Sequence, residues 1–96
     1  MRIAGRERLE RFCEKHADAR AWIERWLADV ELVAWTKPHD IRSQYASASK
    51  LSDNVVIFNV RGNAYRLEVV VAYRTGIVSV LWAGTHREYD ERNRRR

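Results

Sequence analysis

The sequence predicts an α+β fold, in which an N-terminal helical hairpin packs on a three- to four-stranded antiparallel sheet. Three observations carry this. Apolar residues recur with helical period through Tyr45, they alternate with period two after Asn54, and each half leaves one apolar face to bury. The 96 residues suit a single domain, 1–92, followed by a short basic tail, 93–96.

Met1 to Ala4 can form a short edge strand. Leu9, Phe12, Cys13 and His16 then fall at i, i+3, i+4 and i+7, which predicts a helix over 6–16. Ala17 and Asp18 interrupt it, and Asp18 can cap the next helix. Trp22, Ile23, Trp26, Leu27, Val30 and Val33 form a second stripe that runs to near Trp35. So short a break implies antiparallel helices. Pro38 suits the first turn of a further short helix carrying Ile41 and Tyr45 on one face. Residues 47–54 read as loop.

From there the chain reads as sheet. Val55 to Val60 is β-prone. Arg61-Gly62-Asn63-Ala64 is a turn, because Gly and Asn tolerate the positive φ of a tight hairpin. In the next run Tyr65, Leu67, Val69, Val71 and Tyr73 share one face, and Arg66, Glu68, Val70, Ala72 and Arg74 share the other. Thr75-Gly76 turns the chain into a third strand, Ile77 to Ala83. Such a meander must bury a face, and the helical hairpin supplies the partner.

The 18 Lys and Arg residues outnumber 13 Asp and Glu, for a net charge of +5. Residues 1–34 are neutral overall, whereas residues 60–96 hold eight arginines against four acids. Trp22 and Trp26 belong to the core, while Trp35 and Trp82 can either pack or offer a stacking surface. A basic surface suits nucleic acid, an anionic membrane or an acidic protein. No apolar run approaches the ~20 residues of a membrane span. The first residues lack the apolar stretch of a secretory signal. With Cys13 alone there is neither an internal disulfide nor a multi-cysteine metal site. A reducing cytoplasm is the expected setting. Three dispersed histidines make a poor metal site, and no Gly-rich phosphate loop or Ser-centred elbow is present. No cofactor is expected.

Arg66 and Arg74 lie opposite the aliphatic face, on what should be an exposed sheet surface, and Arg61 lies at the hairpin tip. His86 and Tyr89 are three apart, so one helical turn would set them side by side. Arg, His and Tyr together have what metal-free RNA cleavage requires. The 2′-hydroxyl must lose a proton, the leaving 5′-oxygen must gain one, and the anionic phosphate needs cations. The plainer readings are a His–Tyr pair that caps a strand and arginines on a solvated face.

The segment Phe58-Asn59-Val60-Arg61-Gly62-Asn63-Ala64-Tyr65-Arg66-Leu67, with Gly84-Thr85-His86-Arg87-Glu88-Tyr89-Asp90, resembles the HigB family of bacterial toxins, within the RelE-like mRNA interferases. The likeness covers nearly the whole chain. It implies a RelE-like, microbial ribonuclease-like fold and metal-independent cleavage of mRNA on translating ribosomes. It also implies a HigA-like helix-turn-helix antitoxin, through which alone operator DNA would be bound. Carried over, His86 and Tyr89 match the acid/base pair and Arg66 the arginine at the scissile phosphate. Arg61, Arg74 and Lys50 match RNA-contacting positions, and Asn59 and Asn63 match structural ones. Two other readings compete: a non-catalytic RNA- or ribosome-binding module working with the antitoxin, and a subunit acting mainly through protein contacts.

Overall fold

In the computed structural model, which describes residues 1–95, five strands form one open sheet in the order β1-β5-β4-β3-β2. They are β1 (Arg2–Ala4), β2 (Ser49–Lys50), β3 (Val55–Val60), β4 (Tyr65–Ala72) and β5 (Ile77–Thr85). The β3-β4-β5 meander is antiparallel, as its alternation predicts. The sheet as a whole is larger and mixed, which corrects the expected three- to four-stranded antiparallel one. β1 joins the far edge parallel to β5, with Arg2 opposite Ile77 and Ala4 opposite Ser79. Ser49 and Lys50, expected in a loop, pair with Ile57 and Val56. A two-residue strand shows no alternation, and a pairing across seventy residues leaves no local period to read.

Three helices cover one face: α1 (Arg6–Lys15), α2 (Arg20–Leu32) and α3 (Pro38–Gln44). α1 buries Leu9, Phe12 and Cys13, and α2 buries Ile23, Trp26 and Val30. They meet Phe58, Val60, Leu67, Val69, Val71, Val78 and Val80 of the sheet. Trp35 packs, stacked at 6.3 Å on Phe58. His16 sits at the core edge, its ring 4.8 Å from Tyr65. Two details differ from expectation. α2 stops at Leu32, because Val33 is already extended (φ −100°, ψ 162°). The break between α1 and α2 is a 3₁₀ turn, Ala17–Ala19, and Asp18 does not cap α2. Its carboxylate accepts instead from the Tyr65 hydroxyl (2.6 Å) and the Arg61 guanidinium (2.5 Å). Those bonds, Tyr65 first, hold the Asp18 carboxyl below its ordinary range.

The other face of the sheet is not open, as the strand pattern suggested. A fourth helix, α4 (His86–Arg94), folds back along it. α4 starts with a capping box: the Glu88 N–H donates to Thr85 Oγ1 (3.1 Å), and the Thr85 N–H donates to Glu88 Oε1 (2.8 Å). It extends through Asn93 and Arg94, the first residues of the expected tail; Arg96 lies outside the described residues. A bulge sets up this face. Val69 pairs with Val80 but Glu68 with Trp82, so Leu81 is an extra residue in β5. The insertion reverses the alternation and turns Trp82 and Gly84 away from the core, toward α4.

Candidate functional site

The polar face is assembled row by row across the strands. Asn59, Arg66 and Gly84 lie side by side in one row, and Ile57, Glu68 and Trp82 in the next. α4 closes over them through alternating cations and rings. The Arg66 guanidinium lies 6.0 Å from the Tyr89 ring, Tyr89 lies 6.0 Å from Trp82, and the Arg92 guanidinium lies 5.5 Å from Trp82. Beneath them Glu68 is only 2% exposed, with Arg92 Nε 3.7 Å from its carboxylate. Gly84 makes the arrangement possible, because a Cβ there would fall 2.6 Å from the Trp82 ring.

Between this face and β2 opens a cleft of about 260 Å³, lined by Ser49, Lys50, Leu51, Ile57, Asn59, Arg66 and Tyr89. Three of the residues read from the sequence therefore meet here: Lys50, Arg66 and Tyr89. Arg66 Nη1 is buried and has no hydrogen-bond partner. A guanidinium nitrogen without water or an acceptor is costly, so this one suits an anion. Lys50 is exposed and lies 3.4 Å from Asp53. Asn59, assigned a structural role from the sequence, donates to the Ser47 carbonyl (3.4 Å) and also forms part of the wall.

His86 is not among the residues lining the cleft. It opens α4 one turn before Tyr89, which places their Cβ atoms roughly 5–6 Å apart. Its backbone N–H reaches the Ala64 carbonyl (3.4 Å). Its Nδ1 lies 3.2 Å from Asp90 Oδ2. The Asp90 carboxylate therefore stands beside the His86 ring, one helical turn on. Asp90 was missed in the sequence, although its i+4 spacing from His86 was a usable signal.

Arg61 and Arg74 lie elsewhere. Arg61 has a left-handed backbone (φ 52°) at the hairpin tip and pairs with Asp18. Arg74 is exposed in the β4–β5 turn, eight residues along the chain from Arg66, or roughly 25 Å at strand rise. Among the described residues no His, Cys, Asp and Glu side chains cluster as a metal site would need. Cys13 is buried, which pushes its thiol pKa up.

A family model described as a HigB toxin, the RelE-like toxic component of a toxin–antitoxin system, matches residues 19–92. The chain belongs to the HigB toxin family. As a HigB-family toxin it is the toxic half of a toxin–antitoxin pair, which implies an antitoxin partner. Its α+β architecture is consistent with the RelE-like fold. The match spans α2 to α4, and so includes every residue of the cleft. Comparison with curated proteins returns no match. No helix among the described residues is long and apolar enough to cross a membrane.

Proposed function

We propose that this HigB-family toxin is a metal-independent endoribonuclease that cleaves mRNA on translating ribosomes, inhibiting translation and growth in the cytoplasm. The observation that carries the reading is the cleft holding Arg66, Lys50 and Tyr89, with a buried Arg66 nitrogen that no protein group satisfies. In this reading the scissile phosphate sits against Arg66, and Lys50 contacts a neighbouring phosphate. The 2′-oxygen attacks phosphorus as its proton leaves to a base. The bond to the 5′-oxygen breaks as an acid protonates it, and a cyclic phosphate remains. His86, with Asp90 beside its Nδ1, and Tyr89 are the groups that exchange these protons. Neutralising charge at the crowded phosphate falls to Arg66. Arg61 and Arg74, remote from the cleft, would act only as outlying phosphate contacts. A HigA-like antitoxin with a helix-turn-helix would neutralise the toxin and carry any contact to operator DNA.

The separation of His86 from the cleft lining favours one competing reading, a module that binds RNA or the ribosome without cutting. Primer extension on a translated message after induction divides the two. Cleavage gives new mRNA 5′ ends that vanish in Arg66→Ala and fall steeply in His86→Ala and Tyr89→Phe. Translation arrest without new ends, unchanged in His86→Ala, would establish the binding module instead.

A further inference from the structure

The sheet has an unfinished edge, on the side away from the cleft. β5 runs from Ile77 to Thr85, but β1 pairs with it only at Ile77, Val78 and Ser79. Gly5 then takes the chain off the sheet. Its φ is +87°, and a Cβ there would fall 2.9 Å from the Val80 carbonyl oxygen. From Leu81 onward no strand covers this edge among the described residues. Leu81 is 36% exposed. Its carbonyl accepts a long 3.5 Å contact from Arg8 Nη1, which an incoming backbone N–H could displace. An open edge of this kind is a template for another strand.

α1 forms the wall beside it. Arg8, Arg11 and Lys15 are spaced i, i+3 and i+7, one stripe of the helix. With Leu81, Trp82, Ala83 and Gly84 they border two adjoining clefts of about 210 and 160 Å³. None of the three cations has an ion-pair partner among the described residues, whereas Arg6 and Glu10 of the same helix pair with Glu31 and Arg20. Glu88 itself lines the larger cleft: its carboxylate accepts from the Thr85 N–H, and Lys15 and His16 help hold its pKa down.

We infer that this edge receives an extended acidic segment of a partner protein. The segment adds a strand beside Leu81 and Ala83 and sets its carboxylates over Arg8, Arg11 and Lys15. Backbone pairing supplies register and the basic stripe supplies selection for acidic side chains. RNA fits the observations less well. It would use the cations but has no peptide groups for the strand edge, and it would leave Leu81 against phosphates. The inference is independent of cleavage, because the groove shares no residue with the Lys50–Arg66 cleft.

The test titrates the full chain with a fluorescein-labelled decapeptide of alternating Glu and Val. Two controls accompany it: the same peptide N-methylated at every second residue, and a single-stranded RNA decamer. The expected result is saturable binding with amide shifts centred on Leu81–Ala83 and on α1. Binding weakens about tenfold in Arg8→Gln/Arg11→Gln, whose unfolding midpoint should match wild type, and about tenfold on N-methylation. Arg66→Ala leaves it unchanged. Absence of binding, equal binding of the N-methylated peptide, or stronger perturbation of the same amides by RNA would each overturn the inference.

Discussion

The two faces of the central sheet come from alternate residues of the same strands, yet different forces hold them. On the helix-covered face Leu67, Val69, Val71 and Val78 are fully buried against aliphatic and aromatic neighbours. Non-directional burial of apolar area stabilises that side, and loss of any large side chain is felt. On the α4 face the rows carry Asn59, Arg66, Glu68 and Trp82, clamped by stacked cations and rings. That side buries charge, leaves Arg66 Nη1 unsatisfied, and depends on a bulge and a glycine for its geometry. The lesson is that one sheet can carry an apolar face and a charged one simply by its pleat. The Arg66 nitrogen, costly if left unpaired in the core, stands where an anion can satisfy it.

The hardest blow to this division should fall on the apolar face. Phe58, 1% exposed, contacts Trp26, Trp35 and Tyr45. Phe58→Ala should cost about 3–5 kcal/mol, a large part of the ~5–15 kcal/mol expected for a domain. Urea denaturation measures it, with Tyr89→Phe as the polar-face control that stays within about 0.5 kcal/mol. Equal losses in the two variants would abolish the contrast.

Arg66→Ala inverts the pattern. Cleavage of a translated message should drop about 10²–10³-fold, while the urea midpoint holds or rises. A parallel fall in stability would make Arg66 a structural residue. Gly84→Ala pushes on the Trp82 ring and should destabilise by about 1–3 kcal/mol, with a changed near-UV circular dichroism signal.

The smallest effect is at the α4 cap. The Thr85 N–H, then burial and the Thr85 hydroxyl, leave the Glu88 carboxyl net below its ordinary value of 4.5. A lowered folded pKa contributes stability above the unfolded value, and that contribution disappears as pH falls through the folded one. Wild type should therefore exceed Glu88→Gln near neutral pH, and the gap should close on acidification. Thermal unfolding of both proteins at several pH values checks this, and a gap that widened in acid would refute the cap.

Much of the architecture was legible along the chain. The stripe from Leu9 to Cys13, the stripe from Trp22 to Val30 and the alternation from Tyr65 to Val71 each repeat a local period, so α1, α2 and the meander could be read directly. Arg66, Tyr89 and Lys50 were legible as candidates by residue type and motif. Their meeting in one cleft was not, because it depends on β2 pairing with β3 and on α4 turning back over the sheet. Asp18 shows the limit of a local rule. It stands where a cap should be, yet Tyr65 and Arg61, more than forty residues away, claim its carboxylate.

Periodicity and residue type were enough to establish an α+β domain with an apolar and a polar sheet face, and to place Arg66 and Glu68 on the polar one. The parallel β1 edge, the bulge at Leu81, the burial of Glu68 and the unfinished rim of β5 were settled by contacts between distant segments. The reason is physical. Backbone dihedrals and side-chain alternation are encoded over a few residues. Register across a sheet, and what lies on top of it, are chosen by whichever long-range packing buries the most surface with the fewest unpaired groups.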